Sequence, residues 1–199
     1  MVNEFVPKVV ILAGGKSLRL KELTQDVPKG MLKLGSKTML EYVMDGYKRF
    51  GYKEFIIASG YKSKVVEDYF AGRKGVSVVD TGLETLTGKR LLLLKKLLRD
   101  DPYFFVCYAD GLGNVDFKDL ELHHKRNNMV ATVVATRPRS QFGVLDIQGN
   151  VIVQFVEKPI LPYWINTGFY VFSQGIFNSL NDKMFEDTTL PQLALSKRV

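Results

Sequence analysis

Apolar residues along this chain fall into short blocks of two kinds, and the two kinds alternate. Blocks of the first kind are continuous and rich in β-branched or aromatic side chains: residues 8–13 (KVVILA), 54–59 (EFIIAS), 76–79 and 103–108 (YFFVCY). A run without polar alternation marks a strand that is covered on both faces. Blocks of the second kind have helical spacing. Met39, Tyr42, Val43, Tyr47 and Phe50 share one side of a helix over 38–50, and Gly51 stops it. The same reading predicts helices over 63–70, over 88–98 with Thr87 as its cap, and over 117–126. It also predicts an extended piece at 31–34 before the Gly35-Ser36 turn, and a strand over 129–136.

After residue 137 the pattern changes. Residues 142–147 and 151–156 flank Gln148-Gly149-Asn150 and predict a hairpin. Another strand follows over 164–172, then short helical segments near 173–180 and 190–196. No internal repeat, low-complexity tract or Pro/Gly/Ser linker interrupts the chain. The expectation is a single α/β domain over 1–199. It would have a mainly parallel, Rossmann-like sheet with helices on both faces, and a β-rich C-terminal elaboration.

Composition adds limits. The chain has 199 residues, 46% hydrophobic and 25% charged, the balance of a globular protein. Its one cysteine, Cys107, rules out an internal disulfide and fits a reducing, cytoplasmic setting. Cys107 sits in an apolar run and reads as packing rather than as a nucleophile. Residues 1–8 lack the form of a signal peptide, and no apolar stretch nears the roughly 20 residues that span a bilayer, so no membrane is expected. The net charge of +7 is uneven: residues 1–99 hold 19 basic and 10 acidic side chains. That excess suits a polyanionic ligand, and a solvated lysine-rich surface accounts for it equally well. No basic run with interleaved aromatics points to nucleic acid.

Three places carry candidate chemistry. Leu12-Ala13-Gly14-Gly15 closes the first strand and opens a basic loop that includes Arg19 and Lys29. A glycine pair there lets backbone N–H groups approach phosphate oxygens, although the pair alone is also a plain turn. The loop is neither a Walker loop nor GxGxxG. Asp110 follows the central apolar strand, at the sheet edge where ligands bind in open α/β folds. A carboxylate there suits Mg2+ or a simple strand-end turn. Glu157-Lys158-Pro159 ends a later strand and could hold a phosphate and sugar hydroxyls, or could be an exposed charge pair. His123 and His124 are adjacent in a helix, face different ways and cannot form a helical metal pair. Phe5, Phe104, Phe105, Trp164 and Phe169 are expected in the core.

Taken together these segments resemble the sugar-1-phosphate nucleotidyltransferase family, whose signature is GGxGTRLxxxTxxxPKP. The chain reads Gly14-Gly15-Lys16-Ser17-Leu18-Arg19-Leu20, then Thr24, then Pro28-Lys29-Gly30. The resemblance runs from Lys8 to about Ala194 and is strongest to glucose-1-phosphate cytidylyltransferases. It rests there on Asp80-Thr81-Gly82, Thr87-Gly88-Lys89-Arg90, Tyr108-Ala109-Asp110-Gly111, Phe155-Val156-Glu157-Lys158-Pro159 and Trp164-Ile165-Asn166-Thr167-Gly168.

The resemblance implies the nucleotide-diphospho-sugar transferase fold, with a nucleotide-binding half over about 1–136 and a sugar-phosphate-binding half over about 137–199. It implies that Leu12, Ala13, Gly14 and Gly15 line a nucleotide pocket, and that Thr87 and Gly88 lie near the base with Arg90 positioning their segment. Arg19 would hold the triphosphate and Lys29 would neutralise phosphate charge at the reacting centre. Asp110 would bind Mg2+. Gly143, Glu157, Asn166 and Gly168 would contact the sugar, and Lys158 its phosphate. The substrates would be a nucleoside triphosphate, CTP above the others, and glucose 1-phosphate. The products would be a nucleotide sugar and pyrophosphate, formed by direct in-line attack. A homo-oligomer is part of the same implication.

The chain departs from the family pattern at Ser17-Leu18, where Gly-Thr is usual, and at Gly30, where proline is usual. The family also supplies a second metal-binding aspartate, in a Trp-x-x-x-Asp-Thr-like segment, and nothing after Asp187 is acidic here. Two alternatives therefore stand beside the first reading: the same chemistry on another nucleotide or sugar phosphate, and a catalytically impaired protein that binds nucleotide sugars.

Overall fold

The computed structural model describes residues 5–17, 20 and 23–199. In chain order the strands are β1 (Val9–Leu12), β2 (Lys33–Leu34), β3 (Lys37–Thr38), β4 (Phe55–Ser59), β5 (Val76–Asp80), β6 (Tyr103–Tyr108), β7 (Ala131–Thr136), β8 (Val144–Gln148), β9 (Val151–Val156) and β10 (Ile165–Ser173). The helices are α1 (Met39–Lys48), α2 (Ser63–Phe70), α3 (Thr87–Leu93), α4 (Phe117–Asn127) and α5 (Thr189–Leu195).

Strand β1 lies at the centre because each of its four residues is buried, so it needs a neighbour on each edge and a layer on each face. It pairs in parallel with β4 on one side and β6 on the other. The full sheet runs β5-β4-β1-β6-β10-β7. Strand β10 is antiparallel to both β6 and β7; the other strands share one direction. The C-terminal part of the chain thus completes the central sheet by threading between two earlier strands.

Side chains two apart on a strand share a face, and that rule sorts the core. Val9, Ile11, Phe55, Ile57, Phe105 and Cys107 pack with Leu40, Met44 and Tyr47 of α1, Val66 and Phe70 of α2, and Phe117 of α4. Val10, Leu12, Ile56, Phe104 and Val106 face the other way, against Leu91 of α3, Leu94, Leu98, Phe185 and Leu193 of α5. The expected mainly parallel α/β sheet with helices on both faces is therefore the observed one. Cys107 is buried beside Tyr47, and burial pushes its thiol up to about 12, so it is an inert packing group.

The helix starts are locally encoded. Thr38 accepts from Glu41 N–H at 3.2 Å while Glu41 accepts from Thr38 N–H at 2.8 Å, a reciprocal capping box at the head of α1. Burial raises the Glu41 pKa, but Arg73, Thr38 and Tyr69 outweigh it and bring the carboxyl down to about 2. Asp116 caps α4 by accepting from Lys118 and Asp119 N–H, each at 3.0 Å.

Several expectations are corrected. Thr87 does not cap its helix: Leu86 stands at the N-cap without a side-chain bond, and Thr87 is the first helical residue. Helix α3 ends at Leu93, with turns continuing toward Leu98. Met31 closes a short 3-10 turn, Lys29–Met31, rather than starting an extended piece. Phe104, Phe105 and Phe169 are core, whereas Phe5 is 36% and Trp164 68% exposed. Trp164 follows the hairpin, where apolar sequence does not coincide with cover. Strands β8 and β9 form a separate two-stranded sheet, and every residue in both is exposed.

Candidate active site

The carboxyl ends of β1 and β6 open onto one cavity of about 380 Å3. Parallel neighbours end together, so the turn after β1 and the turn after β6 meet there as a consequence of register, with Leu12 opposite Tyr108. The turn after β1 supplies Ala13, Gly14, Gly15 and Ser17, and the 3-10 turn supplies Lys29 and Gly30. The end of β6 supplies Tyr108, Ala109 and Asp110. The far wall is Leu83, Glu84, Thr85, Leu86, Thr87 and Arg90, with Met184 at its edge.

Lys29 and Asp110, 81 residues apart in sequence, form an ion pair at 2.5 Å in this cavity. Their side chains are 32% and 41% exposed, so both remain open to a ligand. The opposite charges compensate each other while no phosphate is near. Across the mouth, Lys16 bonds Glu84 at 2.6 Å, joining the two loops that flank the cavity. Among the described residues no group of three or more His, Cys, Asp or Glu could hold a metal ion. Asp110 is thus a hard oxygen donor outside any cluster of three or more such groups. That donor set fits Mg2+ arriving with phosphates, because Mg2+ commonly takes one or two carboxylates and completes its shell with phosphate and water.

Arg90 has a role the sequence only outlines. Its side chain is buried and donates to Ser59 O at 2.9 Å, to Thr81 Oγ1, and to Leu83 O at 3.3 Å. Burial lowers its pKa, which Asp80 partly offsets. The guanidinium lies against Gly14, where an added Cβ would come within 2.0 Å of Arg90 Cζ. A glycine at 14 is therefore what lets the first loop lie against this guanidinium, which is bonded to Ser59, Thr81 and Leu83.

The structure brings Leu12, Ala13, Gly14, Gly15, Lys29, Thr87, Arg90 and Asp110 to the one cavity. Gly88 is buried just behind Thr87. Arg19 lies outside the described residues. Gly143, Glu157, Lys158, Asn166 and Gly168 do not line the cavity. Gly168 borders it, since a Cβ there would meet the Tyr108 ring at 2.9 Å. Asn166 has both ends of its amide engaged, donating to Tyr170 OH at 2.6 Å and accepting from Gly168 N–H at 2.9 Å. Glu157 and Lys158 are an exposed pair 3.7 Å apart, and Lys158 has a left-handed φ of 46°. Gly143 faces Phe155 and Glu157 across the hairpin. The wall residues Leu83–Leu86 and Met184 were not foreseen, because nothing in their own segments distinguishes a cavity wall from an exposed loop.

Residues 8–194 match the family described as Nucleotidyl transferase. A probable glucose-1-phosphate cytidylyltransferase of Bacillus subtilis is 33% identical, covering 94% of this chain and 84% of the relative. The glucose-1-phosphate cytidylyltransferase of Salmonella typhi is 35% identical, covering 88% and 78% respectively. The crystal structure of HddC from Yersinia pseudotuberculosis superposes with a TM-score of 0.71 at 26% identity, over 94% of this chain and 86% of that one. UDP-glucose pyrophosphorylase complexed with UDP-glucose, at 20% identity and a TM-score of 0.67 over 96% of this chain and 88% of that one, shares the fold. No helix among the described residues is long and apolar enough to cross a membrane. Sheet, cavity and relatives agree: the chain belongs to the nucleotidyl transferase family and is an enzyme of the sugar-1-phosphate nucleotidyltransferase type.

Proposed function

We propose that this enzyme transfers the cytidylyl group of CTP to glucose 1-phosphate and releases pyrophosphate. The observation that carries the reading is the Lys29–Asp110 pair in a cavity walled by the glycine turn after β1. A cation and a hard oxygen donor beside that turn support the reading, because a triphosphate with its metal calls for both. The choice of CTP and glucose 1-phosphate rests on the relatives at 33% and 35% identity. A second reading, GTP with mannose 1-phosphate, is favoured by a mannose-1-phosphate guanyltransferase of Yarrowia lipolytica at 32% identity, of which this chain covers 55%.

The chemistry joins two anions. A phosphate oxygen of the sugar attacks the α-phosphorus of the nucleotide, the bond to the β-phosphate oxygen breaks, and pyrophosphate leaves with that electron pair. No protein nucleophile is needed, so the barrier is lowered by orientation and by positive charge. Gly14 and Gly15 offer backbone N–H groups to the phosphates. Lys29 turns from Asp110 toward them and neutralises charge at the reacting centre. Arg19 adds charge to the triphosphate. Asp110, relieved of Lys29, would hold Mg2+, which when bound supplies charge neutralisation at the phosphates. Thr87 and Gly88 border the base, and Arg90 holds that wall in place.

On the sugar side, Gly143, Glu157, Asn166 and Gly168 contact the hexose and Lys158 its phosphate. This assignment is supported by sequence alone. It requires the β8–β9 hairpin to serve as the sugar-facing wall.

The test is pyrophosphate release with Mg2+, each of four nucleoside triphosphates against a panel of sugar 1-phosphates. Turnover highest with CTP and glucose 1-phosphate is the expected result. Turnover highest with GTP and mannose 1-phosphate would replace the first reading with the second.

A further inference from the structure

Thr87 stands on the cavity wall, and its hydroxyl is held from behind. The hydroxyl donates to Glu186 Oε2 at 2.7 Å and accepts from Phe185 N–H at 3.1 Å. Both partners belong to a segment about a hundred residues away that is packed tightly on the head of α3. Gly88 N–H donates to Lys183 O at 3.0 Å. A Cβ at Gly88 would come within 2.5 Å of both Asn181 O and Lys183 O, so only glycine permits this approach. Lys89 adds an ion pair to Asp182 at 3.1 Å.

A threonine hydroxyl has one proton and two lone pairs. Here the proton is taken by a carboxylate and one lone pair by a backbone N–H, which leaves acceptor capacity only. No protein donor reaches the other oxygen, Glu186 Oε1, among the described residues. Among the described residues the Thr87 hydroxyl is the side-chain donor to this carboxylate. A ligand group that bonds to the Thr87 hydroxyl must therefore bring a donor.

We propose that Thr87, its proton committed to Glu186, selects a nucleobase that presents an N–H group and rejects one that presents a carbonyl at that point. Cytosine, guanine and adenine carry an amino group; uracil and thymine offer carbonyl oxygens around a single ring N–H. Glu186 is then a positioning residue for base selection, and Thr87 the residue that reads the base. The inference rests on the reading that this cavity takes the nucleotide with its base toward Thr87.

The experiment compares kcat/KM for CTP, UTP, GTP, ATP and dTTP in the 199-residue chain, in Glu186→Met, in Thr87→Val and in Thr87→Ser. If a variant shows no turnover, titration calorimetry of each nucleotide yields the same ratios as affinities. Glu186→Met frees the Thr87 proton, so the CTP-to-UTP preference should fall by about tenfold or more, with UTP gaining. Thr87→Val removes the acceptor and should lower the same ratio by a loss on CTP. Thr87→Ser should keep the ratio. Circular dichroism establishes that each variant is folded; if Glu186→Met is not, the Val and Ser pair decides.

A CTP-to-UTP ratio within about twofold of the parent chain in a folded Thr87→Val overturns the proposal. A parent chain that favours UTP or dTTP also overturns it, while leaving nucleotidyl transfer intact. A parent chain that favours GTP or ATP supports base selection at Thr87 and instead overturns the cytidylyl reading.

Discussion

The cavity at the ends of β1 and β6 and the β8–β9 hairpin were both expected to bind substrate, and they are built in opposite ways. Every residue of β1 and β4 is buried, so the loops leaving those strands start from fixed points. Every residue of β8 and β9 is exposed, among them Val151, Val153 and Phe155. Two strands without a covering layer are marginal on their own in water. A site that must place reacting atoms to within fractions of an ångström belongs on the first kind of support. Recognition of a sugar can tolerate the second. The comparison predicts that changes at the cavity damage chemistry and changes at the hairpin damage substrate binding.

The largest expected effect is at Asp110. Asp110→Asn keeps the size of the side chain but removes its charge, and with it the partner of Lys29 and the hard oxygen donor. Turnover should fall by about a hundredfold or more, with the urea midpoint nearly unchanged because an exposed ion pair contributes little to stability. Kinetics and denaturation on the same preparation check both. A variant with ordinary turnover would remove the cavity's claim to the chemistry.

Next comes acid. His124 is buried between α4 and the sheet, bonded to Thr132 Oγ1 at 2.8 Å and Ser173 Oγ at 2.9 Å. Burial, with a smaller contribution from His123, lowers its pKa to about 4 from 6.5. Between those values the unfolded chain binds a proton that the folded one refuses. Stability is therefore full above about pH 6.5 and declines as pH falls toward 4, by up to about 3 kcal/mol from this group. The urea midpoint against pH should show that slope, and His124→Gln should flatten it. The loss falls on the frame that seats β10 between β6 and β7, and not on the hairpin.

Gly14→Ala is the third probe. The new Cβ would collide with the Arg90 guanidinium, which is fixed by Ser59, Thr81 and Leu83. The expected cost is about 1–3 kcal/mol of stability, with weaker nucleotide binding as the first loop is pushed off the guanidinium. Thermal denaturation and a nucleotide titration check it. An unchanged melting temperature would mean that the guanidinium yields to the new methyl without losing its bonds.

The same contrast explains what could be read from the chain alone. Strands β1, β4 and β6 announce themselves because burial leaves no charged residue in them. Helices α1 and α4 carry their caps in adjacent residues, so they too are local. The glycine turn and Asp110 were legible because the ends of parallel strands fix where such residues go; Lys29 was legible from the Pro28-Lys29-Gly30 segment that resembles the family signature. Illegible features depend on distant segments. Thr87 looked like a cap because a threonine before an apolar run usually is one; its partner Glu186 lies 99 residues on. Glu121 receives Tyr52 at 2.5 Å and Tyr103 at 2.8 Å from different elements, and no spacing rule connects them. Trp164 was expected inside because large aromatics usually are, and it sits outside, 68% exposed, just before β10.

The smallest effect, and the one that tests the hairpin itself, is Lys158→Ala. Its ammonium is 3.7 Å from Glu157 and well exposed, so its removal should leave the melting temperature within about a degree. If Lys158 holds the sugar phosphate, one charge-assisted contact is lost and the KM for the sugar phosphate should rise about tenfold. The KM for the nucleotide and the rate at saturation should barely move. The left-handed backbone at Lys158 is adopted more readily by glycine, so Lys158→Gly should match Lys158→Ala in KM while being no less stable. A change confined to the nucleotide KM would transfer Lys158 to the cavity's account. No change in either constant would leave the hairpin without a phosphate contact and return the sugar site to the rim of the β1–β6 cavity, where Gly168 already borders Tyr108.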